Sequence, residues 1–123
     1  MSYLLITAYN LNQYIVTPYF IILLLWYPCF ENLFSIIRKN KIGFSPIEAD
    51  NKHLHQLIFS YLKKKFKINE KYLNPLASTF INIFNLLIIY SASFQPNYTM
   101  YQILHLVFAI VMYLTLYLFL SKN

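Results

Sequence analysis

Tyr19-Phe20-Ile21-Ile22-Leu23-Leu24-Leu25-Trp26-Tyr27 is an unbroken apolar and aromatic run, and it lies inside a longer stretch, Met1 to Phe30, with no charged side chain. A second uncharged block of 50 residues extends from Tyr72 to Ser121. Placing one Lys or Arg at mid-bilayer costs about 2.5–3.5 kcal/mol on insertion scales, so long uncharged blocks are what a membrane selects. The composition agrees: 59% of the 123 residues are hydrophobic and only 11% are charged. A soluble domain carries about a quarter charged residues. A chain this short could not hide so much apolar surface within itself. The sequence therefore reads as one all-α integral membrane domain over residues 1–123.

Three spans are expected, near residues 14–37, 75–93 and 101–120. Each has the roughly 20 residues, at about 1.5 Å apiece, that cross the hydrocarbon core. Pro18 suits the first turn of a helix, where its missing N–H is not needed. Pro28 is interior to the first span. Residues 1–13 are too short to cross and read as the stub of an earlier helix with a polar turn at Asn10, Asn12 and Gln13. Pro96-Asn97 marks a tight turn between the last two spans. Tyr27 and Tyr101, among other tyrosines near span ends, fit interfacial anchors.

Nine of the ten basic residues fall between Arg38 and Lys71, and the tenth is Lys122. Clustered beside apolar segments, they read as topology and not as a nucleic-acid footprint. By the positive-inside rule, the loop 38–71 and the C-terminus are expected on the cytoplasmic side. Cys29 is the only cysteine, so no intrachain disulfide forms. No basic residue precedes the first apolar run, unlike a cleaved signal peptide.

Within the loop, Asp50 or Asn51 looks like a helix N-cap. Leu54, Leu57, Ile58, Tyr61 and Leu62 then recur at helical spacing, and Lys63, Lys64, Lys65 and Lys67 crowd the end. This predicts an amphipathic surface helix near 51–66 at the cytoplasmic face. Gly43-Phe44-Ser45-Pro46-Ile47-Glu48-Ala49-Asp50-Asn51-Lys52-His53-Leu54-His55-Gln56 is the segment where chemistry could reside. A helix N-terminus offers backbone N–H groups to an anion, and imidazoles there can bind phosphate. On the residues alone, His53 and His55 read equally as polar groups on a wet helix face. As a zinc pair they are poor, since two residues on a helix differ by about 200°. The lysine run reads as a topology signal and headgroup contact. His105, inside the third span, is a functional candidate by position or a neutral histidine bonded to a neighbouring helix.

Ser45-Pro46, Asp50-Asn51 and His53-Leu54-His55, after Pro28-Cys29-Phe30-Glu31 and Arg38-Lys39, resemble the C-terminal part of the polyprenyl-phosphate N-acetylhexosamine-1-phosphate transferases. This is glycosyltransferase family 4, related to the lipid I synthase of peptidoglycan. The resemblance spans about residues 14–120, with its specific residues in 28–56. It implies a bacterial inner-membrane, multi-pass enzyme that moves a sugar 1-phosphate from a UDP-sugar to a polyprenyl phosphate with Mg²⁺. It assigns His53 and His55 to the nucleotide-sugar, Asp50 to ordering the loop and Arg38 to a phosphate. The chain departs from the family at Gln56, where a third histidine is usual, and at Glu31, where the family has Asp. Asp50 is the only aspartate. The paired aspartates and magnesium loops of the family have no counterpart here. The expectation is therefore a C-terminal piece with no catalytic residue or metal ligand of its own, inactive alone. It would act with N-terminal helices or a partner subunit. The competing expectation is a small basic membrane protein that binds anionic lipid or a partner helix.

Overall fold

A computed structural model describes residues 2–11, 16–43, 52–66 and 69–122. The described residues form five α-helices and no strand: α1 (Ser2–Leu11), α2 (Pro18–Ile42), α3 (Leu54–Lys65), α4 (Glu70–Ala92) and α5 (Thr99–Lys122). Stretches of 24, 22 and 24 residues in α2, α4 and α5 are long and apolar enough to cross a membrane. At about 15 Å, α1 is not long enough.

Local chemistry sets the helix limits. Pro18 opens α2, and the Thr17 hydroxyl accepts a bond from the Phe20 N–H at 3.3 Å. Gly43 closes α2 at φ 78°, a left-handed position that favours glycine. Between them the helix runs through Pro28, whose ring removes the bond to the Leu24 carbonyl. The second span does not start at Pro75 as expected. It starts at Glu70, because the Asn69 side chain accepts from the Lys71 N–H at 3.2 Å. Pro75 falls inside α4 and leaves the Lys71 carbonyl without its helical donor. The third span runs from Thr99 and not from 101.

The Thr17 N–H donates to the Pro96 carbonyl at 2.9 Å. The start of α2 and the α4–α5 turn therefore share one end of the bundle. The end of α2, all of α3, the start of α4 and the end of α5 share the other. α2 and α5 run parallel, and α4 runs against both. Rings fill the seam between α2 and α5. Phe30 meets Tyr113 with centroids 5.0 Å apart, and Phe34 meets Tyr117 at 4.8 Å, both edge to face. Such pairs add about 0.5–1.5 kcal/mol beyond their buried area. Tyr27 is not an interfacial anchor: it faces this seam, 6.3 Å from Tyr113. Ala77, Ala92 and Ala109 are fully buried and allow the helices to approach closely. Ile22, Leu33, Leu86, Leu87 and Phe108 stay exposed on the outer faces, as lipid contact requires.

The amphipathic helix is present as α3. Its apolar stripe packs on the bundle: Leu54 and Ile58 are buried, and the Tyr61 ring meets Phe119 of α5 at 5.9 Å. Lys63, Lys64 and Lys65 occupy its last turn, where cations complement the helix dipole.

Candidate functional site

Glu31 organises the end of the bundle that carries α3. Its side chain is 12% exposed, and burying a carboxylate requires partners. Oε1 accepts the Leu54 N–H at 2.8 Å and lies 3.1 Å from His53 Nδ1. A carboxylate only accepts, so Nδ1 carries the hydrogen and Nε2 is left as the acceptor nitrogen of the ring. Glu31 thus takes the place of an N-cap side chain for α3, although it belongs to another helix. Its negative charge sits at the positive end of the α3 dipole. The Tyr27 and Tyr113 hydroxyls also face this carboxylate. Neither Oε2 nor the Tyr113 hydroxyl closes a hydrogen bond, and both are buried.

The N-cap of α3 is His53, with φ −68° and ψ 152°, and not Asp50 or Asn51. Those two residues lie outside the described residues, as does the Ser45-Pro46 segment. The Gln56 side chain accepts from the His53 N–H at 3.2 Å. The His53 carbonyl accepts from the Gln56 and Leu57 N–H groups, both at 3.0 Å. This corrects the expectation of an open anion cradle. The first N–H of α3 is already held by Glu31 and those of Gln56 and Leu57 by the His53 carbonyl, so few backbone donors are left for an incoming anion beside the imidazole rings.

The expected 200° splay of His53 and His55 does not hold, because only His55 is helical. The extended backbone at His53 sets the two rings nearly parallel, 15° apart in plane and 6.5 Å between centroids. His55 and Gln56 line an open groove of about 390 Å³ with Phe59 of α3 and Asn74 of α4. Arg38 is seven residues, or about 10 Å, beyond Glu31 along α2. Its guanidinium lies 5.9 Å over the Tyr117 ring of α5, a cation–π placement. The structure therefore brings His53 and His55 together and sets Arg38 on a different level of the bundle.

Among the described residues no group of three or more His, Cys, Asp or Glu is arranged to hold a metal ion. The described residues do not supply a ligand set for the Mg²⁺ that the resemblance implies. His105 bonds its own helix and not a neighbour: Nδ1 is 2.8 Å from the Tyr101 carbonyl, which accepts. His105 borders an apolar groove that Phe84, Leu87, Ser91 and Phe108 also line.

Asn74, Tyr113 and Gln102 escaped the sequence reading. Asn74 could have been found as an amide at the mouth of an apolar span. Gln102, fully buried, donates to the carbonyls of Ala92 at 2.9 Å and Gln95 at 2.7 Å. Its signal was a lone amide in an otherwise apolar helix. Tyr113 had no signal, being one tyrosine among 12. No family model, curated protein or solved structure matches this chain.

Proposed function

We propose that the chain is the C-terminal part of a transferase of the bacterial inner membrane. It moves a sugar 1-phosphate from a UDP-N-acetylhexosamine to a polyprenyl phosphate, in precursor synthesis for peptidoglycan or another envelope polysaccharide. The end that carries α3 faces the cytoplasm. The observation that supports this reading is a contact between the two motifs on which the resemblance rests. Glu31, from Pro28-x-x-Glu31, and His53, from His53-Leu54-His55, are 22 residues apart in sequence and 3.1 Å apart in space. In this reading Glu31 fixes the ring of His53, and the outer nitrogens of His53 and His55 bind the diphosphate of the UDP-sugar as it arrives from water. The lipid phosphate arrives along the bilayer. Its oxygen forms a bond to the β-phosphorus while the α,β-bridge breaks, and UMP leaves. Magnesium chemistry is assigned to residues outside those described here.

The test is UMP release from UDP-N-acetylglucosamine with undecaprenyl phosphate as acceptor. The purified chain is expected to release none. Reconstituted with a polypeptide that supplies the paired aspartates, it is expected to be active. There, His53→Ala or His55→Ala should lower kcat/KM for the UDP-sugar roughly ten- to a hundredfold, more than for the lipid. Lys63→Ala should do much less. Clear release by the chain alone overturns the requirement for a partner. Histidine variants that match the parent, with Lys63→Ala crippled, would move the site to the basic run.

A second reading, a small non-enzymatic basic module that binds anionic lipid, draws on Lys63, Lys64 and Lys65. They are exposed at the same end of the bundle as Lys39 and Lys41. Each such residue near an anionic surface contributes about 1 kcal/mol. Vesicle binding that falls with each lysine removed, together with no response to UDP-sugar in the reconstituted system, would favour it.

A further inference from the structure

α4 carries four polar side chains that make no hydrogen bond within the described bundle: Asn74, which borders the groove at His55 and Gln56, and Ser78, Asn82 and Asn85. They are spaced four, four and three residues apart. Eleven residues make about three turns, so the stripe runs almost along the helix axis for about 16 Å. Asn74, Ser78 and Asn82 are exposed and Asn85 is half-buried. The core face of the same helix, through Leu73, Ala77, Ile81 and Ile88, is buried, so the stripe lies on its flank. The remaining outer face, with Phe80, Ile83, Leu86 and Leu87, is apolar and exposed. Among the described residues none of the four polar side chains closes a hydrogen bond, and Asn85 Oδ1 is buried without one. Hydrocarbon offers no partner to an amide. A face of this kind in a spanning helix is covered by something polar.

We propose that this face docks on α4 of a second copy of the chain. Copies inserted in the same direction are parallel, so a two-fold axis along the membrane normal sets each residue of the stripe beside its own counterpart. Like-on-like pairing defeats acids and bases, which repel. It suits a carboxamide, which donates through its NH₂ and accepts through its carbonyl. Asn82 and Asn85 therefore bond their own counterparts within the membrane, and the small Ser78 lets the two backbones approach. Lys71 continues the stripe at the aqueous end and is exposed; water and salt screen the like charges there. The pairing does not depend on the transferase reading.

The test uses the full chain, with Cys29→Ser, in phosphatidylcholine vesicles. Oxidation of a single cysteine at Ser78→Cys is expected to give a linked dimer in high yield, and at Ile83→Cys, on the lipid face, little. Energy transfer between labelled copies measures association. The pair Asn82→Leu and Asn85→Leu is expected to weaken it at least tenfold at unchanged helical content, while Asn82→Gln with Asn85→Gln retains it. Should the leucine pair fail to fold, the cross-linking contrast and the glutamine pair decide. A monomeric parent, undiminished association of a folded leucine pair, or strongest cross-linking at Ile83→Cys overturns the proposal.

Discussion

At the hairpin end of the bundle, Gln102 is fully buried and its amide ties α5 to Ala92 and Gln95. At the opposite end, Glu31 is partly buried and ties α2 to Leu54 and His53. The first contact is neutral and joins residues ten and seven apart in the chain. The second is charged and joins residues 23 and 22 apart. The Gln102 amide is held through its NH₂ by two backbone carbonyls, while its Oε1 is buried without a hydrogen bond. A carboxylate needs the α3 dipole and the histidine proton together, because a buried charge without partners is heavily penalised. The hairpin contact is thus local and neutral, whereas α3 docks through its apolar stripe together with one carboxylate from a distant helix.

Substitution at Glu31 should break this contrast most clearly. Glu31→Ala removes the acceptor for Leu54 and for His53, and hydrogen bonds to a charged group contribute about 1.5–3 kcal/mol each. α3 should lose most of its amide-exchange protection while α4 and α5 keep theirs. Exchange measured by mass spectrometry on residues 54–65 against 99–122 decides it, and equal protection in both regions would show that apolar packing alone holds α3. Gln102→Leu should follow in size. It deletes two neutral bonds of about 1 kcal/mol each and loosens the hairpin without touching α3. Thermal unfolding in detergent, with the same exchange comparison, reads both effects. Tyr101→Phe should be the smallest. The Tyr101 hydroxyl makes a single bond to the Ser91 carbonyl at 2.9 Å, worth about 1 kcal/mol. A loss larger than that of Gln102→Leu would mean that the tyrosine, not the amide, closes the hairpin.

Much of the spanning architecture was legible, and the reason is direct. Charge is costly in hydrocarbon whatever the packing, so the blocks ending at Phe30 and starting at Tyr72 declare themselves. Helix starts were less legible because two rules compete there. At the second span, proline position argued for Pro75, and the Asn69 cap prevailed from six residues upstream. At α3, a residue suited to capping stood at Asp50 or Asn51, but the helix starts after His53, where Glu31 supplies the acceptor. The two histidine rings lie nearly parallel, where the splay argument set them apart, because that argument assumed that both residues are helical.

The sequence by itself determined that this chain is helical, that three segments suit a bilayer, and that its basic residues gather at one end of the bundle. These follow from hydration free energies that act on each residue alone. Only the tertiary structure decided that Glu31 caps a helix 23 residues away, that Tyr113 faces that carboxylate, and that the α4 amides lie on a flank where they close no hydrogen bond among the described residues. Those depend on which helices become neighbours, and that is settled by the interlocking of rings and alanines between helices, a property of pairs of surfaces that no single stretch of sequence contains.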